Sequence, residues 1–135
     1  MSTARSNSGP GYAKYEGYTV TSKPIEEEVV VRLGGEIVCC TTQAIQVLES
    51  RHKPALYLPK AAFNADHLTP SDTSTYCPFK GTASYQGLVA GASQAADALW
   101  YYPKPYDEVT FIEPYFGIYY DRVDSITIGG SSKVP

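Results

Sequence analysis

The sequence predicts a single, mainly β domain with a minor helical part, and three observations predict it. Tyrosine is abundant, 12 residues in a chain of 135, and tyrosine rings favour pleated, half-buried surfaces. Short apolar runs rich in Val, Ile and aromatic residues recur along the chain, separated by turn residues. Ten prolines divide the sequence into many loops and short elements. A length of 135 residues fits one domain able to bury a core without metal or disulfide staples. Hydrophobic residues at 43% and charged residues at 19% belong to a folded chain, not a disordered one.

Met1 to Gly17 is rich in Ser, Gly and Pro and is expected to form a flexible N-terminal arm, with Tyr12, Tyr15 and Tyr18 available to anchor it. The body is expected over residues 18–128. "YTVTS" (Tyr18–Ser22) reads as a short edge strand ended by Pro24. "EEVVVRLGGEIVCCTT" reads as a hairpin: β-branched Val29–Val31, a Gly34-Gly35 turn, and a return strand through Ile37 to Cys40. Ala44, Ile45, Val47 and Leu48, preceded by Thr42 as N-cap, predict a two-turn helix. "PALYLP" (Pro54–Pro59) is a proline-bounded strand. The segment from Lys60 to Gly81 predicts a long, mostly irregular loop with one helical turn near Lys60–Phe63, and loops of that length are often functional. "TASYQGLVAG" and "DALWYYP" are strands. "TFIEPYFGIYYDRVDSITIG" supplies one or two more, with Phe116, Ile118 and Tyr120 on one face and Tyr115, Gly117 and Tyr119 on the other. Gly129-Gly130 is expected to open a disordered tail, 129–135.

Several function classes are excluded at this level. The formal net charge is −3 and no basic stripe appears, so no nucleic-acid partner is expected. No apolar run is long enough to span a membrane, and no apolar leader segment opens the chain. Three cysteines, two of them adjacent, make no disulfide framework. A soluble, cytoplasmic protein is expected. No metal is expected from Cys39, Cys40, Cys77, His52 and His67, because vicinal cysteines on a strand point to opposite faces. "RLGGE" and "TIGGSS" match no phosphate-binding loop, and no cofactor is expected.

The stretch "CPFKG" carries the chemistry of interest. A lysine three residues after a cysteine can place its ammonium near the sulfur and favour thiolate. Pro78 and Gly81 are also ordinary turn residues, in which case Cys77 is a small buried hydrophobe and Lys80 a solvated charge. A Cys77–His67–acid triad is permitted by composition, but no spacing demands it. Aromatic residues crowd the second half of the chain. If Trp100 and Tyr102 share one face of a strand, Tyr101 takes the other, so both faces are aromatic and one can line a pocket.

These segments stand in a recurring order: "VRLGGEIVCCTTQAIQVLES", "PALYLPKAAF", "CPFKGTASY", "ALWYYPKP" and "FIEPYFGIYYDRVD". Together they resemble the DUF427 family, whose function is unknown, over about Val29 to Asp124. The most specific part is C-P-x-K-G-x-x-x-Y, here Cys77, Pro78, Lys80, Gly81 and Tyr85; a W-x-Y-x-x-P element follows as Trp100, Tyr102 and Pro105. Two departures stand out. Cys39-Cys40-Thr41-Thr42-Gln43 replaces a segment that often holds Asp and Arg, and Tyr18 stands where a lead-in His is common. The resemblance implies a compact bent sheet, β-barrel-like or Mss4-like without the zinc cysteines, with one or two short helices. That comparison is one of fold alone.

The leading functional expectation is a small-molecule pocket lined by Tyr57, Thr75, Cys77, Lys80, Tyr85, Trp100 and Tyr102. Lys80 would pair with an anionic or carbonyl group and Trp100 would stack. One alternative is an enzyme with Cys77 as nucleophile or Lys80 as acid/base or Schiff-base residue. The other is a homodimeric assembly module using aromatic surface and strand edges.

Overall fold

The computed structural model describes residues 7–132. The chain is mainly β and forms two antiparallel sheets. The strands are β1 (Val20–Pro24), β2 (Val29–Leu33), β3 (Glu36–Thr41), β4 (Ile45–Glu49), β5 (Ala55–Pro59) and β6 (Leu68–Cys77). They continue as β7 (Gly81–Ala90), β8 (Ser93–Tyr101), β9 (Tyr115–Ile118), β10 (Ser125–Ile128) and β11 (Ser131–Ser132). The larger sheet has seven strands in the order β1-β4-β5-β9-β8-β7-β6, and the smaller has four, β11-β10-β2-β3. The large sheet is open, with β1 and β6 as its edges, so the expected barrel-like curvature does not close into a barrel.

The two faces of the large sheet bury different things. Leu56, Leu58, Leu88, Leu99, Phe116 and Ile118 form one core with Val29, Val31, Val38 and Ile126 of the small sheet. On the opposite face Val47, Tyr57, Ala83 and Tyr102 form a second cluster with Val109, Ile112 and Phe79. The expected split of the aromatic run holds. Tyr101 packs edge-on against Phe116 in the first core, 5.5 Å between centroids, while Trp100 and Tyr102 belong to the second.

The β2–β3 hairpin turns as expected at Gly34 and Gly35, with φ of 60° and 79°, the left-handed pair that a tight two-residue hairpin turn requires. The short 3₁₀ turn Lys60–Ala62 follows β5 where one helical turn was expected. Two other expectations are corrected. The segment Ile45–Glu49 is a strand, not a helix, hydrogen-bonded between β1 and β5. Two helical turns are too short to be stable alone. Ile45 and Val47 are β-branched, and the Thr41 hydroxyl accepts from the Gln43 amide (2.9 Å), a local turn that launches a strand instead of capping a helix. The supposed long loop is also largely strand: Leu68–Cys77 pairs with β7, with a bulge between Pro70 and Ser74. As an edge strand made of Ser, Thr and Asp it presents mostly exposed side chains, so no apolar alternation announces it.

Residues 1–6 of the expected arm and 133–135 of the expected tail lie outside the described residues. From Asn7 the arm runs over the second cluster and includes a five-residue helix, α1 (Pro10–Lys14). Gly129 and Gly130, at φ of 61° and 87°, turn the chain into β11, which pairs with β10.

Cys39 and Cys40 point to opposite sides, as vicinal strand residues must: Cys39 is buried and Cys40 exposed. Burial, helped by the neighbouring Cys40, pushes the Cys39 thiol up from near 9 to about 12. Burial likewise raises Tyr12 to about 12. Above pH about 9 the unfolded chain releases protons that the folded chain retains. Stability is therefore full below that pH and falls as pH rises towards 12. Urea midpoints measured from pH 8 to 11 are expected to decline, and the decline should begin later in Cys39→Ala. A Cys39→Ala profile that overlays the parent would refute the assignment.

Candidate functional site

Strand register assembles the site. Ile45 of β4 lies opposite Tyr57 of β5, Tyr57 opposite Gly117 of β9, Gly117 opposite Trp100 of β8, and Trp100 opposite Tyr85 of β7. Directly opposed residues share a face. One row therefore crosses five strands on the face away from the small sheet. Val47 and Glu49 continue that face along β4 by period two.

Gly117 is the gap in this row. The Trp100 indole lies across it, and a Cβ at Gly117 would sit 2.1 Å from indole Cε2. The indole Nε1–H donates to the Tyr57 hydroxyl at 3.1 Å, and the two rings meet edge-on with centroids 5.7 Å apart. Tyr119 packs against Trp100 at 4.7 Å, with the Arg122 guanidinium over the Tyr119 ring at 4.3 Å. Thr75 and Tyr85 hydroxyls are 2.9 Å apart. Burial pushes the pKa of both Tyr57 and Tyr102 upward, so both phenols stay protonated.

The hairpin turn between β6 and β7 completes the wall. Cys77 pairs with Gly81, leaving Pro78, Phe79 and Lys80 in the turn. Gly81 has φ of 110°, outside what an L side chain readily adopts. Phe79 goes to the arm. Tyr18 stacks on it, centroids 3.6 Å apart and planes within 9°, and Tyr12 meets it edge-on at 5.2 Å. Two hydrogen bonds hold the arm there: Gly11 N–H donates to the Pro78 carbonyl (3.0 Å), and the Tyr12 hydroxyl donates to the Phe79 carbonyl (2.8 Å). Lys80 goes the other way and pairs with Glu49 of β4. The exposures of these two side chains are 11% and 9%. The second carboxylate oxygen of Glu49 accepts from the Tyr18 hydroxyl and lies 3.6 Å from His52 Nε2.

A half-open cavity of about 220 Å³ lies against this wall. Its polar end is Glu49, Lys80, His52 and Lys53; its apolar end is Tyr57, Tyr85, Trp100, Tyr102 and Tyr119, with Val47 and Ala55 between. Of the residues expected from sequence, Tyr57, Lys80, Tyr85, Trp100 and Tyr102 line it. Thr75 stands behind Tyr85. Cys77 is half-buried against the aromatic cluster and is not among the lining residues. His67 is remote from the turn, 3.4 Å from Glu36 of β3. Sequence reasoning missed Glu49, Lys53 and Tyr119 and considered His52 only as a metal ligand, a role it set aside. Glu49 was hidden by the helix assignment, since only a strand places it two residues from Val47 on the cavity face.

The family profile described as a domain of unknown function, DUF427, matches residues 21–129. The chain belongs to the DUF427 family. No curated protein matches the chain. The DUF427 match spans every cavity-lining residue but begins after the arm. Tyr18, which binds both Phe79 and Glu49, therefore lies just outside it. Tyr18→Phe keeps the ring stack and removes one hydrogen bond to a carboxylate, worth about 1.5 kcal/mol at a partly exposed site. Chemical denaturation should show that loss, and an unchanged midpoint would mean that the bond contributes nothing.

Proposed function

We propose that this DUF427 domain binds a small molecule in the cavity, with Lys80 as its polar anchor and Trp100 as its ring wall. The observation that carries the reading is convergence. A hairpin turn, β4, β5, β7, β8 and the residues just after β8 and β9 deliver an ammonium, a carboxylate, an indole and four phenols to one concave site of about 220 Å³. An apolar hollow with a few placed polar groups is the usual form of a ligand site. Glu49 holds the Lys80 ammonium in place, and an ammonium has further N–H groups to offer a ligand.

Two observations favour binding over the rival readings. A Lys80 amine paired with Glu49 is a charged donor, not a free nucleophile, and Cys77 does not line the cavity. The long exposed edge, β6, carries Pro70, Asp72 and a bulge, features that blunt edge-to-edge pairing between copies.

The test is a thermal-shift screen of small compounds against the parent, Lys80→Met and Trp100→Phe. Compounds that raise the melting temperature of the parent are expected to lose that effect in both variants. Stabilisation that survives both substitutions would place the ligand elsewhere and refute the reading.

A further inference from the structure

Five aromatic residues around one cavity commonly suggest a cage for an ammonium ligand. The charges here have the opposite sign. Glu49 is the one acid among the lining residues, and both its oxygens are engaged, one by Lys80 and the other by Tyr18. Lys80 and Glu49 cancel, and Lys53 at the cavity adds a positive charge with no acid among the lining residues to offset it. Arg122 stands behind Tyr119, where the neighbouring Asp97 carboxylate opposes its charge, so it adds nothing to this balance. The Lys80 ammonium has N–H groups beyond the one given to Glu49, and it lines the cavity. An amine would meet this field unpaired. A carboxylate would meet an ammonium already oriented by Glu49.

Size narrows the class further. A cavity of about 150 Å³ holds benzene. This one, at about 220 Å³ and half-open, encloses one such ring with a small substituent. Ring and charge can be satisfied together, because the indole and phenols form one end of the cavity and Lys80 and Lys53 the other.

Building on the pocket reading above, we infer that the ligand is a single-ring aromatic carboxylate, its ring against Trp100 and its carboxylate on Lys80. The phenol of Tyr85, paired with the Thr75 hydroxyl behind it, belongs to the cavity wall, so a ring hydroxyl is compatible with the site.

Trp100 is the only tryptophan of the chain, so emission excited at the red edge of the absorption band, where the 12 tyrosines do not absorb, reports this wall. The experiment titrates the full chain with benzoate and 4-hydroxybenzoate, and with benzamide and benzylamine as neutral and cationic counterparts. Saturable changes in emission are expected for the carboxylates, with affinity at least tenfold above that for benzamide and benzylamine. In Glu49→Gln/Lys80→Met, which removes the pair together and leaves Lys53 in place, that preference should shrink several-fold; an unchanged preference would overturn Lys80 as the carboxylate's partner. Benzylamine binding as tightly as benzoate would overturn the inference on charge and leave the pocket reading standing. Silence from all four probes, with emission changes from larger compounds found in the thermal-shift screen, would overturn it on size. Silence from every compound would remove the pocket reading as well.

Discussion

Gly117→Ala is expected to dislodge Trp100 and destabilise the domain by about 3 kcal/mol, the upper end for overpacking a well-filled site. The reason is steric. Gly117 is not at a positive φ, so the backbone itself would accept alanine. The new methyl would lie 2.1, 2.3 and 2.6 Å from indole Cε2, Cζ2 and Nε1, well inside contact distance. The indole is hemmed in by Tyr57 on one side and Tyr119 on another, so its retreat breaks the 3.1 Å bond to Tyr57. Tyr57 is only 2% exposed and would keep a hydroxyl with its indole partner gone. Urea denaturation should register the loss, and the single-tryptophan emission should shift in the folded state. The effect should be strongly non-additive with Trp100→Ala, since a truncated Trp100 leaves nothing for the methyl to strike. A Gly117→Ala protein with parental stability and emission would show that the indole does not lie over this glycine.

The second large effect belongs to the ion pair. Each side chain of Lys80 and Glu49 is about a tenth exposed. Removing one partner of such a pair leaves a poorly hydrated charge, at a cost of roughly 3–5 kcal/mol when burial is complete. Glu49→Gln and Lys80→Met should each cost about 3 kcal/mol, towards the lower bound because some solvent reaches the pair. The double variant should cost far less than the sum, because both charges leave together. Comparison of the four denaturation midpoints gives the coupling directly. Strict additivity would mean that the two groups do not sense each other and that Glu49 does not orient Lys80.

Much of this architecture was legible from local chemistry. Gly34-Gly35 specifies its hairpin because both residues need a left-handed backbone, and Pro24 and Pro59 close their strands. The alternation around Trp100 separates Tyr101 from its neighbours whatever the partner strands are. The failures have one physical source. Period and propensity describe how a segment meets its own neighbours in sequence, whereas β4 and β6 are defined by partners far along the chain. β4 has apolar spacing that suits a short helix, and pairing with β1 and β5 decides otherwise. β6 is polar because it is an edge, and a polar edge strand looks like a loop. The site inherits both errors. Tyr57, Lys80, Tyr85, Trp100 and Tyr102 are visible as motif or aromatic residues. Glu49 enters the site only once β4 is a strand, and Tyr18 only once the arm is seen stacked on Phe79. Cys77 attracts attention in sequence by its chemistry, yet the turn sends Lys80 to Glu49 and leaves the sulfur among aromatic rings.

If Trp100 forms the wall of a ligand site, its indole N–H senses the ligand first. One tryptophan gives one indole resonance in a ¹H–¹⁵N correlation spectrum, from a proton donated to Tyr57 across the cavity wall. Addition of a compound that stabilises the protein is expected to move that resonance in a saturable manner, with the same midpoint as the stabilisation. A compound that binds and stabilises while the indole resonance stays fixed would show that the ligand site lies away from Trp100.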